Sequence, residues 1–589
     1  MSLEAQLKQF TQQFFKSEFG ADIPAEAVTI NITKKEHEGD FTIVVFPLIK
    51  FSKKSPEQTA EALGNGFKTQ TGYVGSFNVI KGFLNLSLTD GYWLNRLTEI
   101  SGNATYGQLA PKQEKVVLEY CGPNTNKPLH IGHVRNMLLG FSMGEIMKAG
   151  GYNLTKVNIY NDRGIAICQS MVAYKRYGNG STPESTGIKG DHFVGDWYVK
   201  FNQVAIEEVA ALPNAPEDKA EAKKLTNIYK EATETLLKWE AGDPETIALW
   251  KLMNSWVYAG FQETFNLIGV DFQKDYYESE TYKLGKDIVD EGLQKGIFYK
   301  RKDGAVAVDL TPEGLDEKVL LRSDGTSIYI TQDLATADLR HQEFGMDKMI
   351  YVVANEQDYH FKVLKLALQK LGKKWAEGIY HLSYALVESP TGRFKSREGK
   401  TADADDLIAE VMRIAEEKTK ELGKIDDFTQ EQAQELYKTI GLGALKYFVL
   451  RVNPFKKIIF NPEESIDFHG HTGPFIQYTH ARISAIMRKA GNGGEIKGNK
   501  LEAVERELVM QLSLFENVIA DACAKYDPSE VANYVYNLAK LYNKFYHEHP
   551  ILNAPTEEEK QLRIAISGQT GRLINKGMKL LGIEVPERM

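Results

Sequence analysis

The run Glu119-Tyr120-Cys121-Gly122-Pro123-Asn124-Thr125-Asn126-Lys127-Pro128-Leu129-His130-Ile131-Gly132-His133 constrains this chain more than any other stretch. Ahead of it lies the short apolar run Val116-Val117-Leu118. Behind it a helical pattern runs from Val134 to Ala149 and stops at Gly150-Gly151. Strand, loop and helix start therefore follow one another. Val157-Asn158-Ile159-Tyr160 supplies the next strand, so residues 114–165 form one βαβ crossover. Such crossovers build doubly wound parallel sheets, which hold ligands at the carboxyl ends of their strands. The loop lies at that edge, and Asn161-Asp162-Arg163-Gly164 reaches it too.

The loop carries its own chemistry. His130 and His133, three residues apart, share one face of a helix. They stand at the positive end of its dipole, where phosphate binds. Gly132 lacks a side chain, which leaves room for a flat base against the backbone. Lys127 adds a cation nearby. In this strand-loop-helix setting the pattern reads as a nucleotide site rather than a helix start with two incidental histidines.

The 589 residues suggest three or four domains. A formal charge of -8 excludes a general polyanion binder, though not a local nucleic-acid patch. Cys121, Cys168 and Cys523 are scattered and form no C-x-x-C, so neither disulfides nor a structural zinc site is expected. The start, Met1-Ser2-Leu3-Glu4-Ala5, is not a signal or transit peptide, and no apolar run approaches a membrane span. The expectation is a cytoplasmic protein with no membrane contact.

Residues 1–110 read as a separate α+β unit. Helical spacing covers Leu3 to Phe19. Strands are expected at 28–32, 41–46 and 83–88, and a capped helix at Ser55-Pro56-Glu57-Gln58. Nothing there reads as catalytic, and an accessory or dimerisation role fits equally. From about 166 to 270 the chain is helical and charged, an insertion in the sheet domain. Within it Asp191-His192-Phe193-Val194-Gly195-Asp196-Trp197-Tyr198 reads as an aromatic, glycine-containing loop. The sheet pattern resumes after 268. The run Asp324 to Ala335 reads as a turn, a short strand and a polar break into a helix ending near His341, and Met349 to Val353 as a buried strand. Strand ends bearing Asn124, Glu278, Tyr329, Asp333 and Gln357 can converge on one pocket. Two carboxylates and an amide suit a cationic ligand, and a guanidinium meets carboxylates bidentately.

The stretch 389–401 is basic and glycine-containing, suited either to close over polyphosphate or to serve as a plain surface loop. Beyond 402 the chain is nearly all helical, with long helices at 475–490, 501–526 and 528–547. Residues 436–589 hold 20 Lys and Arg against 17 Asp and Glu, a balance of +3 that leaves -11 for the rest of a chain at -8. Tyr478, Arg482 and Arg451 belong to an aromatic and basic set there that suits RNA by stacking and phosphate pairing. His469, His471 and His480 have no metal-binding frame around them, and no metal site is expected.

Taken together these motifs resemble the arginyl-tRNA synthetases, a class I aminoacyl-tRNA synthetase family. The resemblance spans essentially the whole chain. It rests on Pro123-Asn124-x-x-Lys127-Pro128-x-His130-x-Gly132-His133, Tyr329-x-x-x-Asp333, Glu356-Gln357-x-x-His360-Phe361, the run Thr472 to Arg482, and the ending Leu581 to Met589. It implies an α/β fold: a Rossmann-type parallel-sheet catalytic domain (111–435) with an insertion, an N-terminal α+β domain contacting the tRNA elbow (1–110), and a C-terminal all-α anticodon-binding bundle (436–589). It implies that Asn124, Glu278, Tyr329, Asp333 and Gln357 bind L-arginine and that His130, Gly132, His133 and Ser396 bind ATP. Lys127, His130, His133, Lys395 and Arg397 would be catalytic. Mg-ATP and tRNA(Arg) would be the other partners, the enzyme would act as a monomer, and arginine activation would require bound tRNA.

One departure stands out. The family's second signature is Lys-Met-Ser-Lys, and here the matching residues are Phe394-Lys395-Ser396-Arg397, or a run beginning at Arg393. Either way the signature is degenerate, and by resemblance Lys127 supplies the missing lysine. A class I enzyme for another amino acid and a non-catalytic tRNA-binding paralogue are the rival readings. The missing zinc-binding cysteines and the acidic pocket weigh against the first, and intact His130, Gly132 and His133 against the second.

Overall fold

The computed structural model describes all residues except 1–2, 35, 214–215, 389–402, 424–426, 492–495, 497 and 499. Two units form: Met1–Tyr106 with Ile486–Leu514 and Lys540–Gly571, and Gly107–Ala485 with Phe515–Ala539 and Arg572–Met589.

In the first unit, strands β1 (Thr29–Ile32), β2 (Phe41–Val44), β3 (Val74–Ile80) and β4 (Phe83–Leu88) make an antiparallel sheet in the order β1-β2-β4-β3. The β3–β4 hairpin turns through Lys81 and Gly82, both at positive φ (49° and 77°), the geometry a two-residue hairpin turn needs. The helix Pro56–Gln70 starts as expected, with a capping box between Ser55 and Gln58. Its apolar face includes Leu63 and Phe67, both fully buried. The expected long helix at 501–526 is two helices, Ala503–Ser513 and Phe515–Lys525. The former packs in this unit, where Arg506 Nη1 donates to the Leu88 carbonyl at 3.2 Å and Glu505 meets Arg563 at 2.8 Å in a buried pair.

The second unit is built on five parallel strands: β5 (Lys115–Glu119), β6 (Asn153–Tyr160), β7 (Lys274–Tyr277), β11 (Lys348–Ala354) and β12 (Ile379–Tyr384). Their order is β12-β11-β5-β6-β7. Between β7 and β11 a small antiparallel sheet holds β8 (Phe298–Lys300), β9 (Val306–Val308) and β10 (Lys318–Leu321). From β5 the chain winds to one side through β6 and β7, then returns to the other through β11 and β12. The carboxyl end of β5 is therefore the switch point, where a crevice opens. Val117, Val157, Tyr276, Leu334, Met349 and Leu364 lie in the core beneath it.

Two expectations change. Asp191–Tyr198 is not a loop; it lies in the helix Gly190–Ala210. The glycine that suggested a loop, Gly195, is a point of close packing, where a Cβ would stand 2.7 Å from Pro128 Cδ. Just ahead of it, a Cβ on Gly190 would stand 2.0 Å from the Trp256 carbonyl oxygen. Its aromatic rings pack edge-on, Phe193 against Trp197 and Trp256. The short strand expected within 324–335 is no more than one bridge from Ser327 to Leu321, and a helix already begins at Tyr329.

Beyond the sheet, Gln477 of the helix Gly473–Ala490 donates to the carbonyls of Thr439 (3.0 Å) and Glu584 (2.8 Å). His480 Nδ1 lies 3.0 Å from the Pro586 carbonyl, so this histidine ties down the chain's last turn. His471 stacks on Tyr536, with ring centroids 3.9 Å apart.

Candidate active site at the switch point

The loop after β5 is strained and tied. Cys121, a non-glycine residue, has φ 82° and Gly122 has φ 60°. Such a backbone persists only where neighbours hold it. Asn136 accepts from the Cys121 N–H at 2.6 Å and donates to the Val352 carbonyl at 2.6 Å, while Asn158 accepts from the Gly122 N–H at 3.1 Å. Asn161 completes the tie: it bonds Gly122 and Pro123 and pairs with Asn124 in a short parallel bridge. Of these three asparagines only Asn161 stood out in the sequence, as part of Asn161-Asp162-Arg163-Gly164 at the same sheet edge. The signal for Asn136 and Asn158 was only that polar side chains occupy positions inside apolar helix and strand patterns.

The helix Ile131–Ala149 starts with an unusual cap. His130 is the N-cap, and its Nδ1 accepts from the Gly132 N–H at 3.1 Å. His133 Nδ1 accepts from the His130 N–H, also at 3.1 Å. The rings are 3.9 Å apart. Because each Nδ1 accepts a backbone proton, each neutral ring carries its own proton on Nε2. Burial, then the Lys127 charge, pushes His130 down to about 4. Burial and the charges of His130 and Lys127 hold His133 well below the usual histidine range. Both rings are thus neutral Nε2–H donors at the positive end of a helix. A Cβ on Gly132 would stand 2.9 Å from His130 Cε1, so the glycine is needed by the cap itself.

Two turns' worth of anchoring follows. Arg135, fully buried, donates to the carbonyls of Ala385, Leu386 (3.2 Å), Pro454 (3.0 Å) and Lys456 (2.9 Å). It fixes the chain just past β12.

Asn124, Lys127, Glu278, Tyr329, Asp333 and Gln357 line one cavity of about 1300 Å³. The sequence-based convergence of these strand ends and helix starts is what the fold produces. Glu278 opens the short helix after β7. It is held by Asp162, which accepts from the Ser279 N–H (2.8 Å) and hydroxyl (2.7 Å) and from Tyr258 (3.0 Å). Burial pushes the Glu278 carboxyl up to about 7, against the opposing Arg163 guanidinium. Arg163 also lines the cavity, stacked 3.9 Å over Tyr282. Tyr329 is 79% exposed, so its ring is free to meet a ligand. Asp333 lies one turn on from Tyr329 along the same helix, beside His360 of the helix Asp358–Lys370.

Tyr478 and Arg482 stand together on the helix Gly473–Ala490, the guanidinium 5.1 Å from the ring centre. Arg451 donates to the His471 carbonyl and lies 4.5 Å over Phe448, so part of its guanidinium already has internal partners. Lys395, Ser396 and Arg397 lie outside the described residues. Among the described residues, the one group with metal-ligand spacing is Asp191, His192 and Asp405.

Three family models match the chain: tRNA synthetases class I (R), catalytic domain, over residues 97–462; the DALR anticodon binding domain over 476–589; and the arginyl tRNA synthetase N terminal domain over 1–88. The arginine–tRNA ligases of Bacteroides fragilis and Bacteroides thetaiotaomicron are each 51% identical to it, over the full length of both chains. The arginyl-tRNA synthetase of Thermus thermophilus has the same fold, with a TM-score of 0.81 at 24% identity and full coverage of both chains. A Mycobacterium tuberculosis methionyl-tRNA synthetase shares the architecture more distantly, with a TM-score of 0.51 at 10% identity over 80% of this chain and 92% of that one. A class I catalytic domain spanning more than half the chain, and full-length identity of one half, establish that this chain belongs to the arginine–tRNA ligases.

Proposed function

We propose that this chain joins L-arginine to tRNA(Arg) in two steps at the switch-point cavity. The arginine carboxylate attacks the α-phosphorus of ATP, the bond to pyrophosphate breaks, and arginyl-adenylate forms. A terminal ribose hydroxyl of the tRNA then attacks the arginyl carbonyl and releases AMP.

The observation that carries this reading is the pairing of two carboxylates, Glu278 and Asp333, in one cavity with Asn124, Tyr329 and Gln357. A guanidinium is planar, permanently charged and offers five N–H donors, which two carboxylates and an amide can satisfy. Asn124, on the loop, is suited to the amino-acid backbone. Lys127 lines the same cavity, and the His130–His133 cap follows it directly. The two Nε2–H groups and the helix N-terminus donate to phosphate oxygens, and Lys127 meets charge that grows on the leaving pyrophosphate. Mg2+ would arrive bound to the triphosphate, whose oxygens suit that hard cation. Of the three carboxylates lining the cavity, Glu240 is paired with Arg163, Glu278 and Asp333 are assigned to the guanidinium, and no residue is assigned to the ion.

Lys395, Ser396 and Arg397 would act on ATP from the degenerate second signature, with Lys127 standing in for its lost lysine. Residues 1–110 would contact the tRNA elbow and 436–589 the anticodon, with Tyr478, Arg482 and Arg451 on the RNA. The stacked Tyr478–Arg482 pair supports this, since a base extends such a stack. No helix among the described residues is long and apolar enough to cross a membrane, and the enzyme would act in the cytoplasm as a monomer.

Pyrophosphate exchange with each amino acid in turn, with and without tRNA(Arg), tests the reading. Exchange with arginine and tRNA(Arg) together is expected. Exchange with a different amino acid, or none with arginine plus tRNA, overturns it.

A further inference from the structure

The cluster Lys189, Asp191, His192, Asp403 and Asp405 has no part in the reading above. Lys189 Nζ lies 2.6 Å from Asp405 Oδ2, 2.6 Å from the Thr264 hydroxyl and 3.3 Å from Asp191 Oδ1. His192 Nε2 lies 2.9 Å from Asp405 Oδ2 and 3.5 Å from Asp403 Oδ1. The Thr264 hydroxyl donates to Asp405 Oδ1 at 2.9 Å. The ligating atoms of Asp191, His192 and Asp405 fall within 4.8 Å of one another, as in a metal site. The Lys189 ammonium already stands among these carboxylates, so the group is an internal ion network and needs no metal.

What the network holds is the nucleotide turn. Asp403 caps the helix Ala404–Leu422, its side chain accepting from the Asp405 N–H at 2.8 Å. The backbone of Asp403 bridges antiparallel to His130, and the Ala404 N–H donates to the Leu129 carbonyl at 3.0 Å. A second contact reaches the same loop from His192's own helix. Gly195, one turn on, lets that helix approach until a Cβ there would stand 2.7 Å from Pro128 Cδ and 3.6 Å from Lys127 Cα. Behind it, a Cβ on Gly260 would stand 2.3 Å from Asp191 Oδ1, so the helix Pro244–Ile268 backs the cluster with no slack. The insertion helix Gly190–Ala210 and the capped start of the helix Ala404–Leu422 therefore hold Lys127–His130 between them.

We propose that His192, with Lys189 and Asp405, is a positioning residue for ATP: it holds Asp403 and Ala404 against Leu129 and His130, and so sets where the His130 ring stands. This rests on the assignment of His130 to ATP. The surroundings of His192 make the grip pH-dependent. Asp405 and Asp403 face it from the helix Ala404–Leu422 and its cap, Asp191 and Lys189 from its own helix and the residue before it, and neutral Thr264 from behind. The Asp405 bond, aided by the charges of Asp403 and Asp191, raises its pKa above the ordinary value against the effect of burial. Burial alone would raise the Asp405 carboxyl, but the His192 and Lys189 bonds outweigh it and hold that group ionised. The His192 charge is thus present below its raised pKa and lost as pH climbs past it.

Steady-state pyrophosphate exchange with His192→Ala, His192→Gln and Lys189→Met tests this, alongside ATP binding by calorimetry. Expected is a rise of about five- to tenfold in the KM and Kd for ATP in His192→Ala, since a small misplacement of a binding group is felt that strongly. The KM for arginine should stay within about twofold of wild type on the same grounds. In the wild type the KM for ATP should climb as pH rises past the ordinary histidine range. In His192→Gln, which keeps a donor but no charge, it should be flat and meet the wild-type curve at the alkaline end. Thermal melts identify any variant that has simply lost its fold, and Lys189→Met then reads the same network from its other cation. An unchanged ATP affinity in folded His192→Ala, or equal rises in both substrates' KM, overturns the proposal. Because calorimetry needs no arginine, absent exchange in the wild type would count against the arginine reading and leave this test intact.

Discussion

His360 Nε2 lies 2.6 Å from Asp333 Oδ2, so one oxygen of the pocket aspartate is engaged before any ligand arrives. The two residues come from different helices, Asp358–Lys370 and Tyr329–Phe344, and both line the cavity. The histidine fixes the carboxylate plane and leaves Oδ1 for a guanidinium. Asp333→Asn should raise the KM for arginine by about 100-fold, the loss expected when one partner of a charged, hydrogen-bonded pair is removed. His360→Ala should raise it by about five- to tenfold through lost orientation. The KM for ATP should stay put in both, and exchange kinetics with each substrate varied check this.

Glu278 predicts a pH effect. Its carboxyl, pushed up to about 7 by burial, is half protonated near neutrality in the empty cavity. Only the carboxylate pairs fully with a guanidinium, so arginine must displace that proton. The KM for arginine should therefore fall as pH rises towards 8, and climb towards about tenfold per unit below pH 7. Stability has the opposite sign: a carboxyl whose folded pKa is raised loses stability as pH rises through that value. Arginine's shift in Tm should thus grow from pH 6 to pH 8. Glu278→Gln should abolish the pH trend, and melts with and without arginine across that range measure it.

The His130–His133 cap predicts silence where histidines usually titrate. Both rings are held neutral, His130 down to about 4. Nitrogen NMR of the labelled protein should find both in the Nε2–H form, with no titration between pH 5 and 8. Replacing either by Ala should lower the rate of adenylate formation by about 10²–10³, as for other preorganised donors to a transition state. Titration of either ring near pH 6.5 would contradict the cap geometry.

Lys127 stands at the edge of the cavity and just ahead of the cap. Lys127→Ala should lower adenylate formation by about 10²-fold while changing arginine affinity less than about threefold, because its charge answers one that grows only in the transition state. Pre-steady-state adenylate formation alongside arginine binding separates the two. Unchanged turnover would remove Lys127 from the chemistry.

Local pattern made several elements legible. The apolar run before Glu119, the Gly150-Gly151 stop and the Ser55-Pro56 cap each mark structure through neighbours in sequence, and each stands close to its expected place. Asp191–Tyr198 misled for a complementary reason. Gly195 looks like a loop residue in a chain read by itself, yet it is where a helix meets Pro128. Asn136 and Asn158, which help hold the active loop, were silent because their partners lie up to 248 residues away.

The amino-acid sequence by itself determined the kinds of chemistry present: neutral-capable imidazoles at a helix start, a lysine beside them, and acids at strand and helix ends elsewhere. It also determined the alternation of strand and helix that forces a parallel sheet. Which nitrogen of each histidine carries the proton was settled by the folded helix start itself, because Nδ1 of each ring accepts a backbone N–H two or three residues away in the same turn. Only the tertiary structure brought Glu278 and Asp333 to one cavity with Asn124, through a sheet order that places β5 between β6 and β11. And only burial set the Glu278 carboxyl near neutrality, since desolvation belongs to the assembled fold and to no local stretch of chain.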